Sequence, residues 1–504
     1  MKALISVYDK EGLEQLCDTL KSINCEIYST GGTLKFIQSK GYKVHSIFEI
    51  TGHDEILEGR VKTLHPNIHA GILADPDNPN HISDIKKLNL ELFDIVVNNL
   101  YPFEKVSNDP NSTYSEIIEN IDIGGPSMLR AAAKNFKRMI VLYDPNDYAY
   151  ISEKLKKNSI DLETRKKLAT KIFKITSEYD KKIFKFLNNE TNLDVMPNKL
   201  DLTLNKLMDL RYGENPHQKG AIYSNQKNGI ANLKLLHGKA MSYLNYLDAD
   251  AAFYAANSFS DKCVSIVKHT NSCGLSSQTT QLEAYKLALR GDPVSAFGGI
   301  VGLNTEMELE TAEEISKTFY DVIIAPSFSK ESLEILTSKK NVRLISSNFA
   351  KQNFEFRTIN GGLLFQEKDN FIENTNDWNF VTKIKPSKTD LENLLFSWNS
   401  TKFVKSNAIV ITEGKSIIGI GSGQPNRVNS VNLAVEKASE HITDNSILSS
   451  DAFFPFPDSI ELAVKHNIKT IIQPGGSIRD KEVIEKANEL KIKMIFTNKR
   501  HFSH

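Results

Sequence analysis

The first fifty residues pass through apolar blocks whose period switches between strand and helix. Ala3 to Val7 is a short apolar run of strand length. Lys10 to Ser22 then carries Leu13, Leu16, Cys17 and Leu20 at helical spacing, which puts them on one face. Cys25 to Tyr28 reads as a second strand, Leu34 to Gln38 as a helix and Val44 to Ile47 as a third strand. Phe93 to Val97 and Met139 to Tyr143 add apolar runs, and residues about 147–187 read as lysine-rich helix. Strands alternating with helices across short turns predict an α/β sheet of mostly parallel order.

The polar stretch Asn188 to Asn205, with Pro197 inside it, interrupts the pattern. It predicts a first domain over 1–195 and a second over 196–504. In the second, Ser265 to Val267 runs as a buried strand into Lys268-His269-Thr270-Asn271. Helices are expected over Leu282 to Leu289 and near Glu313 to Tyr320, and strands at Ile300-Val301, Val322 to Ala325, Ala408 to Ile411 and Lys493 to Thr497. Short strands and charged loops are expected over 327–395. Strand, polar residues and helix recur around 268 and around 407, which predicts two similar halves.

At 504 residues, 40% hydrophobic and 25% charged, the chain has an ordinary globular composition with room for two or three cores. Lys+Arg and Asp+Glu balance at 62 each, so no global field favours nucleic acid or an anionic membrane. The 4 cysteines form no CxxC pair, which excludes a disulfide scaffold and a thiolate zinc set. No apolar run reaches membrane-span length and the start lacks signal-peptide flanks, so a reducing cytoplasm is the expected compartment.

Four segments of the first domain carry candidate chemistry. Ser29-Thr30-Gly31-Gly32-Thr33 offers glycines, hydroxyls and a following helix start to a phosphate, and also fits a plain capped turn. In Glu58-Gly59-Arg60-Val61-Lys62-Thr63-Leu64-His65-Pro66, Arg60 and Lys62 are two apart and point the same way in an extended segment. Asn99-Leu100-Tyr101-Pro102-Phe103 ends a buried strand in an amide and a phenol. Ile121-Asp122-Ile123-Gly124-Gly125 precedes a helix, and Arg130 and Lys134 share a face of it. These segments resemble the inosine monophosphate cyclohydrolase domain of the bifunctional purine-biosynthesis family, which has a methylglyoxal-synthase-like α/β fold. The resemblance implies proton handling by Lys62, Tyr101, Asp122 and Lys134. It implies substrate binding by Thr30, Gly31, Gly32, Thr33, Arg60, Thr63, Asn99 and Gly124.

In the second domain the cation and imidazole of Lys268 and His269 stand at the mouth of a buried strand, where α/β proteins place chemistry. Leu210-Arg211-Tyr212-Gly213-Glu214-Asn215-Pro216-His217-Gln218 is a dense polar and aromatic loop, and an Arg beside a Tyr can clamp a phosphate. Lys405-Ser406-Asn407, Gln424-Pro425-Asn426-Arg427, Asp451-Ala452-Phe453-Phe454-Pro455-Phe456-Pro457-Asp458 and the terminal Lys499-Arg500-His501-Phe502-Ser503-His504 follow. They resemble the aminoimidazole-carboxamide ribotide (AICAR) transformylase domain of the same family, in the family's order. The resemblance implies two cytidine-deaminase-like halves, without zinc. It implies His269 as base, Lys268 on the oxyanion and Asn407 on the reacting groups. Arg211, Tyr212, Asp321, Arg427, Phe453, Asp458, Arg500 and His504 match residues that bind the ligands.

By resemblance the reactions are formyl transfer from 10-formyl-tetrahydrofolate to the 5-amino group of AICAR, then ring closure of the formylated product (FAICAR) to inosine monophosphate (IMP). The family needs no catalytic metal, admits a structural monovalent cation, forms a homodimer, and has no nucleic-acid or membrane partner. Ser272 stands where relatives commonly carry Pro, and the chain is short around 327–395. A non-catalytic nucleotide-binding regulator predicts phosphate contacts without a need for His269. A nucleoside deaminase requires zinc ligands, and Lys268-His269 has no CxxC partner.

Overall fold

The computed structural model describes residues 1–189, 196–200, 202–387 and 390–504, with the side chains of Glu58 and Asn189 set aside. The chain divides into two units, Met1–Leu200 and Asp201–His504. The expected boundary at 195/196 falls partly on residues 190–195, outside the described residues.

The first unit is built on a five-stranded sheet, and every neighbouring pair in it is parallel. Across the sheet the order is His45–Ser46, Glu26–Ser29, Lys2–Val7, Ile95–Asn99, Ile140–Leu142. The chain runs one way from its first strand, then returns to the other side of it. That reversal opens a crevice at the C-terminal strand ends, between Val7 and Asn99. Ile95–Asn99 is buried at every position, as a strand covered on both faces must be. Helices Leu13–Ser22, Gly124–Lys134, Tyr148–Lys156 and Leu162–Asn189 bury apolar stripes against the sheet, so the expected single helical region over 147–187 is two helices. Gly31-Gly32-Thr33 is not a loop before a helix but the first turn of helix Gly31–Ser39. Pro126 is the third residue of Gly124–Lys134, within the turn whose N–H groups have no helical acceptor.

The second unit holds a twelve-stranded sheet and two separate hairpins, Asn205–Leu210 with Gly220–Ser224 and Phe354–Ile359 with Gly362–Glu367. Half the large sheet runs Lys234–His237, Arg343–Ser346, Val322–Ala325, Ile300–Leu303, Lys262–Lys268, Asn271–Gln278. The other half runs Asn379–Phe380, Lys493–Phe496, Thr470–Gln473, Ile447–Ser450, Ile409–Glu413, Ser416–Gly421. Parallel and antiparallel pairings match step for step between the halves. The halves join antiparallel through Ser276 and Ser416. The duplication expected from sequence is therefore present in the topology.

Which residues correspond between the halves is set by register, not by the recurring pattern around 268 and around 407. Lys268 ends its strand, whereas Asn407 precedes its own. In register, the partner of Ala408 is Cys263, because Asp451 N–H donates to Ala408 O at 3.2 Å as Asn304 N–H donates to Cys263 O at 3.3 Å. The expected helix near 313–320 is Leu309–Ile315, and the 327–395 stretch contains a helix, Lys330–Thr337, besides its strands.

Candidate functional sites

In the first unit the candidate residues gather from separated segments at the C-terminal rim of the sheet. Thr30 precedes helix Gly31–Ser39, and Gly31 has φ +51°, a left-handed backbone that suits glycine. A Cβ on Gly31 would lie 3.3 Å from Glu55 Oε1 and 3.5 Å from Lys62 Nζ. The Thr30 hydroxyl donates to Glu55 Oε1 at 2.6 Å, and Lys62 Nζ lies 3.6 Å from Glu55 Oε2. Glu55, which the sequence did not single out, therefore takes both the Thr30 hydroxyl expected to bind substrate and the Lys62 cation expected to handle protons. Thr63 Oγ1 packs over Gly124, 3.3 Å from the position of a Cβ there.

Asp122 accepts from the Gly125 and Tyr101 backbone N–H groups at 2.8 and 3.4 Å. Burial pushes its carboxyl pKa up, against the pull of these N–H groups and of the Lys62 charge. Thr33 and Asn99 are spent on the floor of the crevice: the Thr33 hydroxyl exchanges hydrogen bonds with Val7, and Asn99 Oδ1 accepts from the N–H groups of Tyr8 and Asp9. Tyr101 is exposed, its ring edge-on to Tyr8. Two residues stand apart. Arg60 forms a two-point ion pair with Glu119. Lys134 is exposed at the last turn of the helix that starts at Gly124, ten residues or about 15 Å along it. Arg130, on the same face, lies over the Phe173 ring.

In the second unit, three successive antiparallel pairings separate Lys262–Lys268 from Ile409–Glu413. The end of the first strand and the start of the second therefore share one rim. Lys268-His269 and Asn407 reach that rim from different halves, and Ser422 Oγ links their neighbours, donating to Asn271 Oδ1 at 3.3 Å and to Lys405 O at 3.4 Å. Asp321 precedes Val322–Ala325 on the same rim, where it pairs with Arg343 at 3.3 Å and accepts from Asn245 at 3.2 Å.

The parallel strands of the later half end at this rim in Asp451, Pro474 and Asn498, which places a cavity of 680 Å³ over strand C-termini. Asn407, Arg427, Phe453, Asp458 and Arg500 line it. A second cavity of 990 Å³ is lined by Thr270, Ser272, Lys405 and His504, and the segment Arg500 to Phe502 borders both. Ser272 Oγ is buried without a hydrogen-bond partner among the described residues.

Asn407 is held rigidly. Its Oδ1 accepts from Arg427 Nη2 at 2.6 Å, and its Nδ2 donates to Gln424 O at 2.8 Å. Arg427 Nη1 pairs with Asp451 Oδ1 at 2.5 Å and donates to Ser450 Oγ at 2.9 Å. Ser406 Oγ closes on the other Asp451 oxygen. Arg427 and Asp451 are both buried, and nothing in the sequence assigns Asp451 a role of its own. His501 anchors the terminal segment, with Nδ1 2.5 Å from Asp369 and Nε2 2.9 Å from Glu373. Burial pulls its pKa down, but hydrogen bonds to the two carboxylates outweigh it and hold it above the usual histidine range.

His269 is exposed, and Lys268 Nζ donates to Phe297 O at 2.7 Å. Neither side chain lines either of these two cavities, although Val267 and Thr270 beside them line the second. Arg211 and Tyr212 sit in the loop of the first hairpin, the guanidinium over its neighbour's ring at 5.4 Å. Among the described residues, no three His, Cys, Asp or Glu side chains cluster as metal ligands.

Two family models match the chain, an MGS-like domain over residues 12–127 and the AICARFT/IMPCHase bienzyme over 132–437. The second covers more than half of the sequence. The chain belongs to the AICARFT/IMPCHase bienzyme family. It is accordingly a bifunctional enzyme, an AICAR formyltransferase joined to an IMP cyclohydrolase. Curated relatives agree along the full length. A protein of Acetivibrio thermocellus and one of Caldicellulosiruptor saccharolyticus are each 46% identical over 512 residues, covering 100% of this chain and 99% of theirs. One of Lactobacillus acidophilus is 44% identical and covered end to end. All three are named bifunctional purine biosynthesis protein PurH.

Proposed function

We propose that the second unit transfers the formyl group of 10-formyl-tetrahydrofolate to the 5-amino group of AICAR, and that the first closes the resulting FAICAR to IMP, the last two steps of purine synthesis. The observation that carries the reading is that Lys268-His269 and Asn407 stand on one rim, where Asn407 lines a cavity sized for a ligand.

The substrate amine is a weak nucleophile because its lone pair is drawn into the carboxamide. In transfer, the amine nitrogen bonds to the formyl carbon while His269 takes its proton. Lys268 steadies the tetrahedral oxyanion as an electrostatic partner. Collapse then breaks the bond to the folate nitrogen, which takes a proton from Lys268 as it leaves, and the proton held by His269 restores the lysine. Asn407, fixed by Arg427, orients the reacting groups. Phe453 offers an apolar wall and Asp458 an acceptor to the flat folate ring, and Arg211, Tyr212, Asp321, Arg500 and His504 hold the ribotide.

In the first unit the carboxamide nitrogen attacks the formyl carbon and water departs, with Lys62, Tyr101, Asp122 and Lys134 handling protons. Thr30, Gly31, Gly32, Thr33, Arg60, Thr63, Asn99 and Gly124 bind the substrate. Closure to an aromatic ring draws the nearly balanced transfer forward.

The transferase site is completed by a second copy of the chain. What supports this is the exposure of His269, of Arg211 in its hairpin loop, and of apolar Val294 and Phe297 beside Lys268. No helix among the described residues is long and apolar enough to cross a membrane, and the cytoplasm is the proposed compartment.

The test is to mix protein, AICAR and 10-formyl-tetrahydrofolate and follow IMP. His269→Ala should abolish transfer while closure of added FAICAR proceeds normally. Near-normal transfer by that variant refutes the assigned role.

A further inference from the structure

The loop that carries His269 has an unusual backbone. Lys268 and Asn271 are paired across the hairpin, so His269 and Thr270 are its two central residues. Both have positive φ, +54° and +58°. This is the primed-turn arrangement, which ordinarily selects Asn-Gly or Gly-Gly. A β-branched threonine there is an outlier whose Cβ crowds the following carbonyl. The turn therefore requires something outside itself to hold it.

That something is Asp248, in the second turn of helix Tyr243–Ala256. Its Oδ2 accepts from the His269 N–H at 3.1 Å and its Oδ1 from the Thr270 N–H at 2.7 Å. The two oxygens of one buried carboxylate thus take the two amides that the left-handed backbone turns inward. Charge-assisted bonds of this kind are about twice as strong as neutral ones. The helix is itself fixed, because Ser242 and Asn245 close a capping box and Asn245 also donates to Asp321. Asn271 Nδ2 completes the clasp with a 2.9 Å bond to His269 O.

We infer that Asp248 is a positioning residue for formyl transfer: its carboxylate holds the strained His269–Thr270 turn in the one backbone geometry that presents the imidazole beside Lys268. The inference rests on the role proposed for His269. Strained backbone persists only where surrounding structure over-determines it. Asp248 supplies that constraint without touching the substrate.

The experiment compares Asp248→Ala, His269→Ala and the double variant Asp248→Ala/Thr270→Gly with the parent protein. Each is assayed for transfer and, separately, for closure of FAICAR. Trp378 and Trp398, the chain's 2 tryptophans, are buried in the second unit, so their emission reports its folding.

Asp248→Ala should lower transfer kcat about 10²-fold, as expected for a misplaced reacting group, with closure and tryptophan emission unchanged. Glycine at 270 adopts positive φ freely. The double variant should therefore recover roughly tenfold of the lost kcat, the population worth of one such strained residue. A merely structural or substrate-contacting carboxylate is not rescued by glycine two positions from the lysine. If Asp248→Ala shifts the tryptophan emission, Asp248→Asn, which keeps one acceptor oxygen, is measured by the same criteria. Transfer within about twofold of the parent, or a folded double variant no better than the single, overturns the inference. Normal transfer by His269→Ala overturns the mechanism instead. An inactive His269→Ala beside a fully active Asp248→Ala overturns this inference alone.

Discussion

Replacing Arg427 by glutamine tests how the later half of the sheet holds Asn407. The guanidinium makes an ion pair with Asp451, bonds Ser450, and donates to Asn407 Oδ1. Removing it strands a fully buried carboxylate, to which only the Ser406 hydroxyl still donates among these contacts. Breaking a buried pair from one side costs about 3–5 kcal/mol. For a unit of about 300 residues, with an unfolding entropy of roughly 2.1 cal/mol/K per residue, that is a fall in Tm of about 5–8 °C. The loosened Asn407 should lower transfer about 10²-fold. The earlier half shows the compensation. At the positions of Arg427 and Asp451 it carries Gln281 and Asn304, each satisfied by neighbouring backbone. Arg427→Gln with Asp451→Asn should therefore regain most of the lost stability and none of the lost transfer. Scanning calorimetry and a transfer assay on parent, single and double variants decide the matter. A single variant that melts with the parent, or a double that melts with the single, refutes the buried-charge account.

Asp122→Asn keeps an oxygen for the Gly125 N–H and removes a carboxylate whose pKa is raised by burial. A raised carboxyl favours the fold below its ordinary pKa and loses that contribution as pH climbs through the raised value. At neutral pH the variant should melt no lower than the parent, while ring closure falls about 10²–10⁴-fold. Glu55→Gln removes an anion from among Thr30, Gly31 and Lys62, and should lower the KM for FAICAR by up to about fivefold; an unchanged or higher KM counts against a phosphate seat there. Deleting Arg500 to His504 should cripple transfer and spare closure, since that segment borders both cavities of the second unit. His501, raised by its two carboxylates, should hold the terminal segment below the usual histidine pKa and release it as pH rises through the raised value. Asp369 and Glu373, both lowered, bound the clamp from the acid side, being lost as pH falls through their depressed values. His501→Gln should remove the alkaline fall in transfer activity that this release produces in the parent.

The alternating strands and helices of the first unit were legible because each parallel strand is buried on both faces and each helix on one, which leaves a run and a stripe in the sequence. Tyr101 and Asp122 could be placed because they sit at the ends of such elements. Glu55 could not, since its function as a partner of Thr30 and Lys62 depends on a loop with no period of its own. Asp248 was hidden for a different reason. It lies inside a nearly all-apolar helix and acts across 21 residues on a turn whose φ angles no sequence pattern announces. The recurrence around 268 and around 407 pointed to two halves but could not give their correspondence, because register, not local motif, fixes it in a duplicated sheet.

That register explains why Lys268, His269 and Asn407 share one rim. The duplication puts equivalent residues on opposite rims: Lys268 corresponds to Glu413, and Arg427 with Asp451 to Gln281 with Asn304. Each half brings a different charged feature to the shared rim. In the earlier half it is the hairpin cation, and in the later half the buried pair behind Asn407. The single antiparallel join at Ser276 and Ser416 turns those two unlike ends to the same side. On the far rim the counterparts are consumed internally, Glu413 by Thr443 and Ser446, and Lys415 by Asp261 and Glu392. A repeat that had diverged symmetrically would leave two weak sites. This one gathers Lys268, His269 and Asn407 along one edge, which is the arrangement the proposed formyl transfer would use.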